Sequence, residues 1–351
     1  MTETDMTTKP IGRFRILTTY PSSVMETAPL ADFPQLQFLH RGRPARPLGM
    51  IAYAARNLWR GDFDGILAEG GYEAFAIALF KLLFFRWDKR VFVNMVYFHR
   101  PPEDPLRRLV FAIRMGILKA GVDRFFVLSS DEVESYHEVL GIDRRKLRFT
   151  PYKYNSRDYL EGMETVVGDY IYSGGDSIRD YATLFEAVRP LPLVVRILTH
   201  QKFPDGSVPE NVEIVANSDT AEEFYEPLAR SLFAVIPILD GHLRSSGQGT
   251  YLGAMVLGKA VIVSDTPGAR DLIQDGTTGL LYRPGDVLAL RSAILTLLCD
   301  GDTRRRIGER GRRAVLGHYT HTTYWRHLFQ IMADALAARD RSPRSAGANH
   351  A

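Results

Sequence analysis

The sequence has little cysteine and no long apolar run, and each shortage excludes a class of protein. Its one cysteine, Cys299, cannot form an internal disulfide, so a disulfide-stapled domain is excluded and a reducing cytoplasm is the expected location. The longest apolar stretch, residues 74–85, is interrupted by Lys81 and is too short to cross a bilayer. No charged and then apolar segment typical of a signal peptide opens the sequence. We therefore expect a cytoplasmic protein without a transmembrane helix.

Neither sign of charge dominates. Lysine and arginine number 44 against 41 acidic residues, a net charge of +3, whereas a nucleic-acid-binding protein normally has a stronger basic field. We therefore expect no nucleic-acid partner.

Hydrophobic residues make up 45% of the 351 residues and charged residues 24%, which is typical of a globular protein. This length exceeds what one hydrophobic core usually sustains, so it favours two domains.

Short β-branched or aromatic runs alternate with helical patterns in both halves of the chain. The strand candidates are residues 14–18, 65–68, 90–97 and 124–129 in the first half and 170–173, 193–198, 212–215, 232–237 and 260–264 in the second. Such alternation indicates parallel sheets with helices on both faces. The sequence therefore predicts an α/β protein of two Rossmann-like, doubly wound domains that face a cleft.

A hinge is predicted at residues 150–155, because Pro151 disfavours helix at its predecessor and the segment has no period of its own. Near the end, helical spacing places Trp325, Leu328, Ile331 and Ala335 on one stripe, which predicts a last helix that returns to the first domain. The predicted division is a disordered start at 1–12, a first domain at 13–154, a second at 155–318, the returning helix at 319–341 and a disordered tail at 342–351.

A glycine-rich turn precedes a helical pattern and then a strand in the second half. Its residues are Ser245, Ser246, Gly247, Gln248, Gly249, Thr250 and Tyr251. The two glycines would let a ligand approach the backbone closely, and the free amides of a helix start suit a phosphate. A tight turn before a buried helix explains the same spacing equally well.

The stretch that follows, residues 258–286, resembles the second half of the family-4-type GT-B glycosyltransferases, also called group 1. It is GKAVIVSDTPGARDLIQDGTTGLLYRPGD, against a family pattern of roughly GKPVIATDVGGIPEIVxDGxxGLLVPPGD. The resemblance implies the two-domain GT-B fold and transfer of a sugar from a nucleotide-sugar donor to an acceptor hydroxyl. The acceptor would be a glycan, a lipid-linked molecule or a small molecule. The resemblance also implies retention of anomeric configuration. We expect no metal or other cofactor, with protein charges in place of a metal ion.

The sequence departs from the family at two glutamates spaced E-x7-E, which fall here on Ser245 and Gly253. In the family the first contacts the donor sugar and the second the ribose. Asp240 or Arg244, in the longer loop before Ser245, could supply a substitute contact. The departure motivates a second hypothesis, a non-catalytic GT-B paralogue that acts as a scaffold or regulatory subunit. A nucleotide-sugar epimerase is a third.

A second glycine pair, Gly174 and Gly175, ends a strand, and Arg179 precedes the next helix. The family has a Gly-Arg pair and then a lysine here, so the resemblance implies that Arg179 holds the donor diphosphate. Its planar guanidinium suits two parallel hydrogen bonds to phosphate. The alternative is a surface arginine paired with Asp176 or Asp180.

Asn217 lies in a loop at 215–219 that resembles the family loop whose backbone contacts the nucleobase. A plain strand-to-helix turn explains this loop equally well, with Ser218 or Asp219 as the helix cap. Asn217 is therefore a donor-binding candidate with a structural alternative.

Two candidate acid–base residues follow strands of the first domain, where open α/β sheets place ligands. His99 could bind the donor sugar or take a proton from the acceptor, and Glu69 is the other candidate base. With Asp240 they form the predicted catalytic set. The alternatives are that His99 is a loop residue without a functional role and that Glu69 only stabilises the N-terminus of the next helix. No metal-ligand cluster is visible, since Asp62 and Asp64 precede their strand as turn residues do.

The helical segment 105–121 carries Arg107, Arg108, Arg114 and Lys119 and no acid. We expect its purely apolar stripe to be core and its mixed stripe to face outward, toward an anionic membrane surface at the inner face. The expected core stripe is Leu106, Leu109, Val110, Ile113 and Ile117, and the expected outward set is Phe111, Met115 and Leu118. A helix that faces the cleft or packs on the other domain is the alternative.

Overall fold

The computed structural model describes residues 14–26, 28–41, 47–155, 157–216 and 220–340. The two termini that the sequence predicts to be disordered lie outside the described residues, and so does Asn217 with its loop. All structural statements below refer to the described ranges.

The first half of the chain forms a six-stranded sheet. The strands are β1 Phe14–Thr18, β2 Leu36–His40, β3 Gly65–Glu69, β4 Arg90–Asn94, β5 Arg124–Val127 and β6 Leu147–Phe149. They are all parallel and run in the order β2-β1-β3-β4-β5-β6. The helices between them are α1 Ser22–Glu26, α2 Pro47–Arg60, α3 Gly71–Leu83, α4 Pro105–Gly121 and α5 Ser130–Leu140, and a short α6, Arg157–Gly162, follows the last strand.

The second half repeats this plan. Its strands are β7 Tyr170–Gly174, β8 Val194–Leu198, β9 Val212–Val215, β10 Phe233–Ile236, β11 Val261–Ser264 and β12 Leu280–Tyr282, all parallel in the order β12-β11-β10-β7-β8-β9. The helices are α7 Tyr181–Val188, α8 Ala221–Ala229, α9 Gln248–Val256, α10 Ala269–Leu272, α11 Val287–Cys299, α12 Gly301–His318 and α13 His321–Asp340. The predicted α/β class with two doubly wound sheets is confirmed.

The strands form where the sequence has short apolar runs, because helices cover a parallel sheet on both faces. The predicted strand at 90–97 ends at Asn94 since Met95 has a left-handed φ of 53°, which breaks the extended chain. The three strands that the sequence did not predict, β2, β6 and β12, are all edge strands. An edge strand has one neighbour and less buried surface, so its sequence pattern is weaker.

Helix α13 packs against elements of the first half. The Trp325 ring meets Tyr20 edge to face at 5.3 Å, and Phe329 contacts Phe33 at 5.7 Å between ring centroids. Arg326 adds a hydrogen bond from Nη2 to Asp32 Oδ2 at 2.7 Å. The first and the last described elements, β1 and α13, therefore belong to the same half.

The predicted orientation of α4 is wrong, because its two faces are exchanged. Met115 and Leu118 are buried and Phe111 is half-buried, whereas Leu106, Leu109, Val110 and Ile113 face outward. Helix α4 lies very close to α3: a Cβ on Gly121 would be 2.6 Å from Cβ of Ala78. This close approach turns Met115, Leu118 and Gly121 inward, so the purer apolar stripe stays outside.

Candidate functional site

The glycine-rich turn and the start of α9 lie between the two sheets, beside the first domain. Gly247 is the N-cap of α9 with φ +77°, and a Cβ there would meet Ile238 Cδ1 at 3.0 Å, so this turn requires glycine. The Gln248 amide donates from Nε2 to Leu128 O at 2.8 Å, at the end of β5. The turn is therefore fixed against the carboxyl edge of the first sheet.

The predicted donor residues of this turn differ in what they contact. Ser245, Ser246, Gln248, Thr250 and Tyr251 are buried, and the Tyr251 hydroxyl donates to Gly268 O at 3.0 Å. Gly247 and Gly249 are half-buried. Within this segment the two glycines are therefore less buried than the five side chains around them.

Arg179 joins the two glycine-containing loops. Its guanidinium donates from Nε to Gly174 O at 2.9 Å, from Nη1 to Ser177 O at 2.8 Å and from Nη2 to Thr250 Oγ1 at 3.2 Å. Its Nη1 is also 3.4 Å from Ser246 Oγ. The side chain is buried, and this burial lowers the pKa of the guanidinium. It is thus not the surface arginine of the alternative, and protein acceptors occupy most of its donors.

Gly175 allows this arrangement. Its φ is +104°, and a Cβ there would lie 2.5 Å from Arg179 Nη2. The family's arginine is replaced by glycine at this point, and the guanidinium of Arg179 occupies the adjacent space. Gly174 and Gly175 are therefore placed beside Arg179, as the sequence spacing suggested.

Glu132 is a buried residue of the site that the sequence analysis missed. It comes from α5 of the first half, and its Oε1 accepts from the Ser245 backbone N at 2.6 Å and from Ser245 Oγ at 2.8 Å. Its Oε2 accepts from Leu128 N at 2.7 Å. Burial raises the pKa of this carboxyl, although the three donors oppose that shift. A carboxylate therefore does lie against Ser245, but it belongs to the other domain.

A sequence pattern could have found Glu132. Ser129 is the N-cap of α5, and a glutamate three residues later is the capping-box pattern of a helix start. That pattern predicts a local bond to backbone amides. It does not predict the second contact, to a loop more than a hundred residues further along the chain.

The position of the second missing glutamate, Gly253, is closed by an aromatic ring. A Cβ on Gly253 would lie 2.5 Å from Tyr225 Cε1. Tyr225 of α8 is buried, and burial raises the pKa of its phenol to about 12. A longer side chain at Gly253 would therefore have to displace Tyr225.

We expect Gly253→Ala to lower the free energy of unfolding by about 1–3 kcal/mol, because its methyl group overpacks the contact with Tyr225. Thermal or denaturant unfolding measures this. Gly317→Ala is the matched control on α12. Apart from the helix's own backbone, no atom of the described residues lies within 4 Å of its Cβ position, so helix propensity alone acts and the change should stabilise by up to about 1 kcal/mol. Equal stability of Gly253→Ala and the unchanged protein would contradict this packing.

Arg244 reaches from the second half into the cleft. Its Nη2 donates to Ser177 Oγ at 2.9 Å, and its guanidinium carbon lies 5.3 Å from the ring centroid of Tyr97. Its Nε is buried, and no acceptor lies within hydrogen-bond distance among the described residues. Arg244 therefore places a positive charge between Tyr97 of the first half and the loop that follows β7.

The predicted catalytic residues His99 and Asp240 lie beside this arginine at the cleft mouth, and both are exposed. Arg100 bridges the halves by donating from Nε to Gly241 O at 3.3 Å. His242 lies close enough for His99, Arg100 and Arg244 to lower its pKa, after burial as the first cause. Asp240 opposes that shift. The cleft mouth therefore combines several basic groups with one acid.

Glu69, the third predicted catalytic residue, lies apart from this group. It lines a cavity of ≈ 420 Å³ at the carboxyl edge of the first sheet, together with Lys153 from the hinge and Trp325 from α13. Burial lowers the pKa of Lys153, and the charge of Glu69 opposes that shift. Glu69 and Lys153 are thus an acid–base pair beside a space large enough for part of a sugar.

A larger cavity of ≈ 720 Å³ lies elsewhere, at the amino ends of the second sheet's strands. Lys259 lines it and donates from Nζ to Val166 O at 2.7 Å and to Ser231 O at 2.6 Å, while burial lowers its pKa to about 8. Ligands of open α/β sheets bind at the opposite, carboxyl edge. We therefore assign the site to the cleft.

The described ranges lack two features, a metal-ligand cluster and a membrane-spanning helix. No group of three His, Cys, Asp or Glu residues there is arranged to hold a metal ion. No helix in those ranges has the length and apolarity needed to cross a membrane.

Comparison with known proteins agrees with the predicted family resemblance over part of the chain. Residues 249–314 match the family described as glycosyl transferases group 1, so the predicted resemblance is confirmed there. No curated protein matches the chain. The family match begins at Gly249, in the first turn of α9, and it supports glycosyl transfer as the general activity.

Solved structures share the fold over most of the chain. Sucrose-phosphate synthase from Thermosynechococcus elongatus is 18% identical with a TM-score of 0.63, over 87% of this chain and 84% of that one. HepE from Anabaena, in complex with UDP, is 10% identical with a TM-score of 0.67, over 92% and 100%. A UDP-N-acetylglucosamine 2-epimerase assigned in Listeria monocytogenes is 14% identical with a TM-score of 0.54, over 95% and 98%. The architecture is GT-B, with two Rossmann-like domains.

Proposed function

We propose that the chain transfers a sugar from a nucleotide-sugar donor to an acceptor hydroxyl in the biosynthesis of a glycan, glycolipid or glycoconjugate. The observation that carries this proposal is the meeting of two loops at Arg179, one before α9 and one after β7, on the side of the cleft that faces the first sheet. One of these loops leads into the segment that matches the glycosyltransferase family. Bound UDP in the HepE structure supports a nucleotide-sugar donor.

We place the donor diphosphate at the start of α9, beside Gly249. Backbone amides at a helix start favour anions, and Gly249 at this position is only half-buried. Arg244 is close enough to share the charge of the leaving diphosphate, with Arg179 behind the loops. We propose that these protein cations take the role of a metal ion. Activity that persists in excess EDTA would support this, and activity restored only by a divalent cation would contradict it.

We propose that the acceptor hydroxyl enters from the first domain. Glu69 lines the cavity at the end of β3, with Lys153 on the lining of the same cavity. His99 lies at the cleft mouth, nearer to Arg244. Glu69 is therefore the better placed base for an acceptor in the cavity, and His99 the better placed contact for the donor. The family resemblance supports retention of anomeric configuration.

Two observations keep other functions open to test. Ser245 is bound by Glu132, and Tyr225 closes the space at Gly253, so neither family glutamate has a direct replacement in the second domain. This favours the scaffold or regulatory paralogue as the second candidate. The fold is also shared with the Listeria structure to which an epimerase activity is assigned, so an epimerase is the third candidate. Product analysis separates the three, since a transferase releases nucleoside diphosphate, an epimerase returns an isomer of the donor, and a scaffold does neither.

The proposal is tested by a thermal-shift screen over UDP, GDP and ADP and their sugars, followed by calorimetry. A ligand at a hundred times its dissociation constant stabilises a protein by about 2.7 kcal/mol, which is readily seen as a rise in Tm. We expect one nucleoside diphosphate and the corresponding nucleotide sugar to raise Tm more than the others. The protein should then hydrolyse that nucleotide sugar slowly. No shift with any member would contradict donor binding altogether.

We expect Gly249→Val to weaken nucleotide binding by about tenfold or more, because a branched side chain would cover the amides at the start of α9. The protein should still fold: the nearest atom to a Cβ there is Asn155 Nδ2 at 3.7 Å, an ordinary contact. Gly301→Val at the start of α12 is the matched control, with its nearest atom at 3.5 Å. If both variants bind nucleotide equally well, the phosphate does not lie at α9.

A further inference from the structure

We propose that the outward face of α4 docks onto an anionic lipid bilayer. This surface, which we call the α4 face, consists of Leu106, Leu109, Val110 and Ile113 with the flanking Arg107 and Arg114. The proposal concerns where the protein works and does not depend on the glycosyl transfer proposed above. It replaces the expected outward set of the sequence analysis, which the structure buries.

The four apolar side chains form one continuous stripe. They stand at spacings of three and four residues, which places them on one side of a helix, and they are 70%, 58%, 60% and 56% exposed in chain order. Single exposed apolar residues are common on protein surfaces, but a stripe of large ones usually marks an interaction surface. The α4 face therefore needs an apolar partner.

The charges beside the stripe identify that partner. At 100° per residue, Arg107 and Arg114 lie along one border of the stripe, and both are exposed. No acid occurs from Pro105 to Gly121, and the carboxylate of Asp104 before the helix accepts from Arg107 N at 2.8 Å as the N-cap. An apolar face bordered by arginine complements an anionic headgroup layer with acyl chains beneath it.

Lys119, the basic residue near the end of α4, does not add positive charge to the α4 face. Lys119 donates from Nζ to Leu140 O at 3.2 Å, so its ammonium is directed toward α5 and away from the stripe. The docking charge is therefore reduced from the predicted four residues to Arg107 and Arg114, with Arg108 exposed at the helix start.

The position of α4 connects this surface with the cleft. Helix α4 begins at Pro105, a few residues after Tyr97, His99 and Arg100, which lie at the cleft mouth. A bilayer on the α4 face would therefore lie near the cleft entrance. A lipid-linked acceptor could then present its hydroxyl while its chain stays in the membrane.

Vesicle co-sedimentation of the full chain tests the proposal. We expect binding to vesicles of phosphatidylcholine mixed with phosphatidylglycerol, weak binding to phosphatidylcholine alone, and weaker binding as salt is raised. A basic residue near an anionic surface contributes about fivefold in partitioning. The double variant R107E/R114E should therefore bind about 25-fold less or worse.

Two matched controls separate the surface from overall charge and hydrophobicity. R310E/R313E on α12 makes the same change in net charge at exposed positions, and it should bind as the unchanged protein does. L109E/I113E should lose binding by at least about tenfold because it interrupts the stripe. Leu288→Glu, at a residue 71% exposed on α11, should not. Circular dichroism should show all variants folded, since every substituted side chain is exposed or half-buried.

Three results would overturn the proposal. Equal binding to neutral and anionic vesicles, or no binding to anionic vesicles, would exclude an anionic bilayer as the partner. Equal losses in R107E/R114E and R310E/R313E would show that only net charge matters. Sedimentation velocity gives the third: if the unchanged protein is dimeric and L109E/I113E is monomeric, the α4 face is an interface between two copies. Nucleotide binding should be the same in all these variants, so failure here leaves the proposed transferase function untouched.

Discussion

Arg179→Ala should lower the free energy of unfolding by about 3 kcal/mol and weaken nucleotide binding by more than about a hundredfold. Arg179 is buried, and its removal would leave Gly174 O and Ser177 O without the donors that they have now. It would also remove the bond to Thr250, which holds the loop after β7 against α9. Because the two loops would no longer be held together, we expect nucleotide affinity to fall along with the free energy of unfolding. Denaturant unfolding and calorimetry measure the two effects.

The conservative substitution distinguishes charge from geometry. Arg179→Lys keeps the positive charge but cannot bond in several directions in one plane, so it should recover only part of the affinity. Arg189→Ala is the control: this arginine is about half exposed and pairs with Glu186 within α7, so its loss should change stability by less than about 1 kcal/mol. Full nucleotide affinity in a folded Arg179→Ala protein would remove Arg179 from the binding site.

Glu132→Ala should lower the free energy of unfolding by about 3 kcal/mol, because it leaves two buried backbone amides without an acceptor. These are Leu128 N within the first half and Ser245 N across the cleft. The loss of the contact with Ser245 should also free the glycine-rich turn. Hydrogen exchange of the Ser245 amide measures this locally, and denaturant unfolding measures the total.

Glu132→Gln tests the geometry of that contact. The carbonyl oxygen of the glutamine can still accept from Ser245. Its amide nitrogen would face Leu128 N, and two donors cannot bond to each other. We therefore expect the free energy of unfolding to fall by about 1 kcal/mol, less than in Glu132→Ala. Glu134→Ala is the control on the same helix, where an exposed pair with Arg144 should matter by less than about 1 kcal/mol. Unchanged protection of the Ser245 amide in Glu132→Ala would refute a link across the cleft.

Central strands were predictable from the sequence, because a strand covered on both faces needs a continuous apolar run. β7, β10 and β11 were all found to within about two residues, whereas the edge strand β2 was not. Helix α4 shows a second limit. Its sequence has two apolar stripes, and the choice between them depends on Gly121 meeting Ala78, a contact between elements that no local pattern contains.

The site was predictable as a set of loops but not as a set of contacts. The glycine spacing found the turn at α9, because φ values near +77° at Gly247 require glycine. Glu132 could not be placed against Ser245, since that contact exists only where the two domains meet. The sequence predicted that Arg179 faces a ligand. It did not predict the protein acceptors of Arg179, because these are carbonyl and hydroxyl groups that any loop could offer.

The return of α13 to the first half means that the chain crosses between the halves twice, once near Tyr154 and once near Tyr319. The two crossings lie side by side, joined by a hydrogen bond from Tyr154 N to Tyr319 O at 3.1 Å. Paired connections restrict sliding and leave rotation about their common line as the easy movement. We therefore expect any opening of the cleft to turn about this pair and to separate Glu132 from Ser245. Gln248, which donates to Leu128 O, and Asp271, which accepts from Ser130 N, lie on the same side as Glu132, so we expect these contacts to break together when a nucleotide enters there.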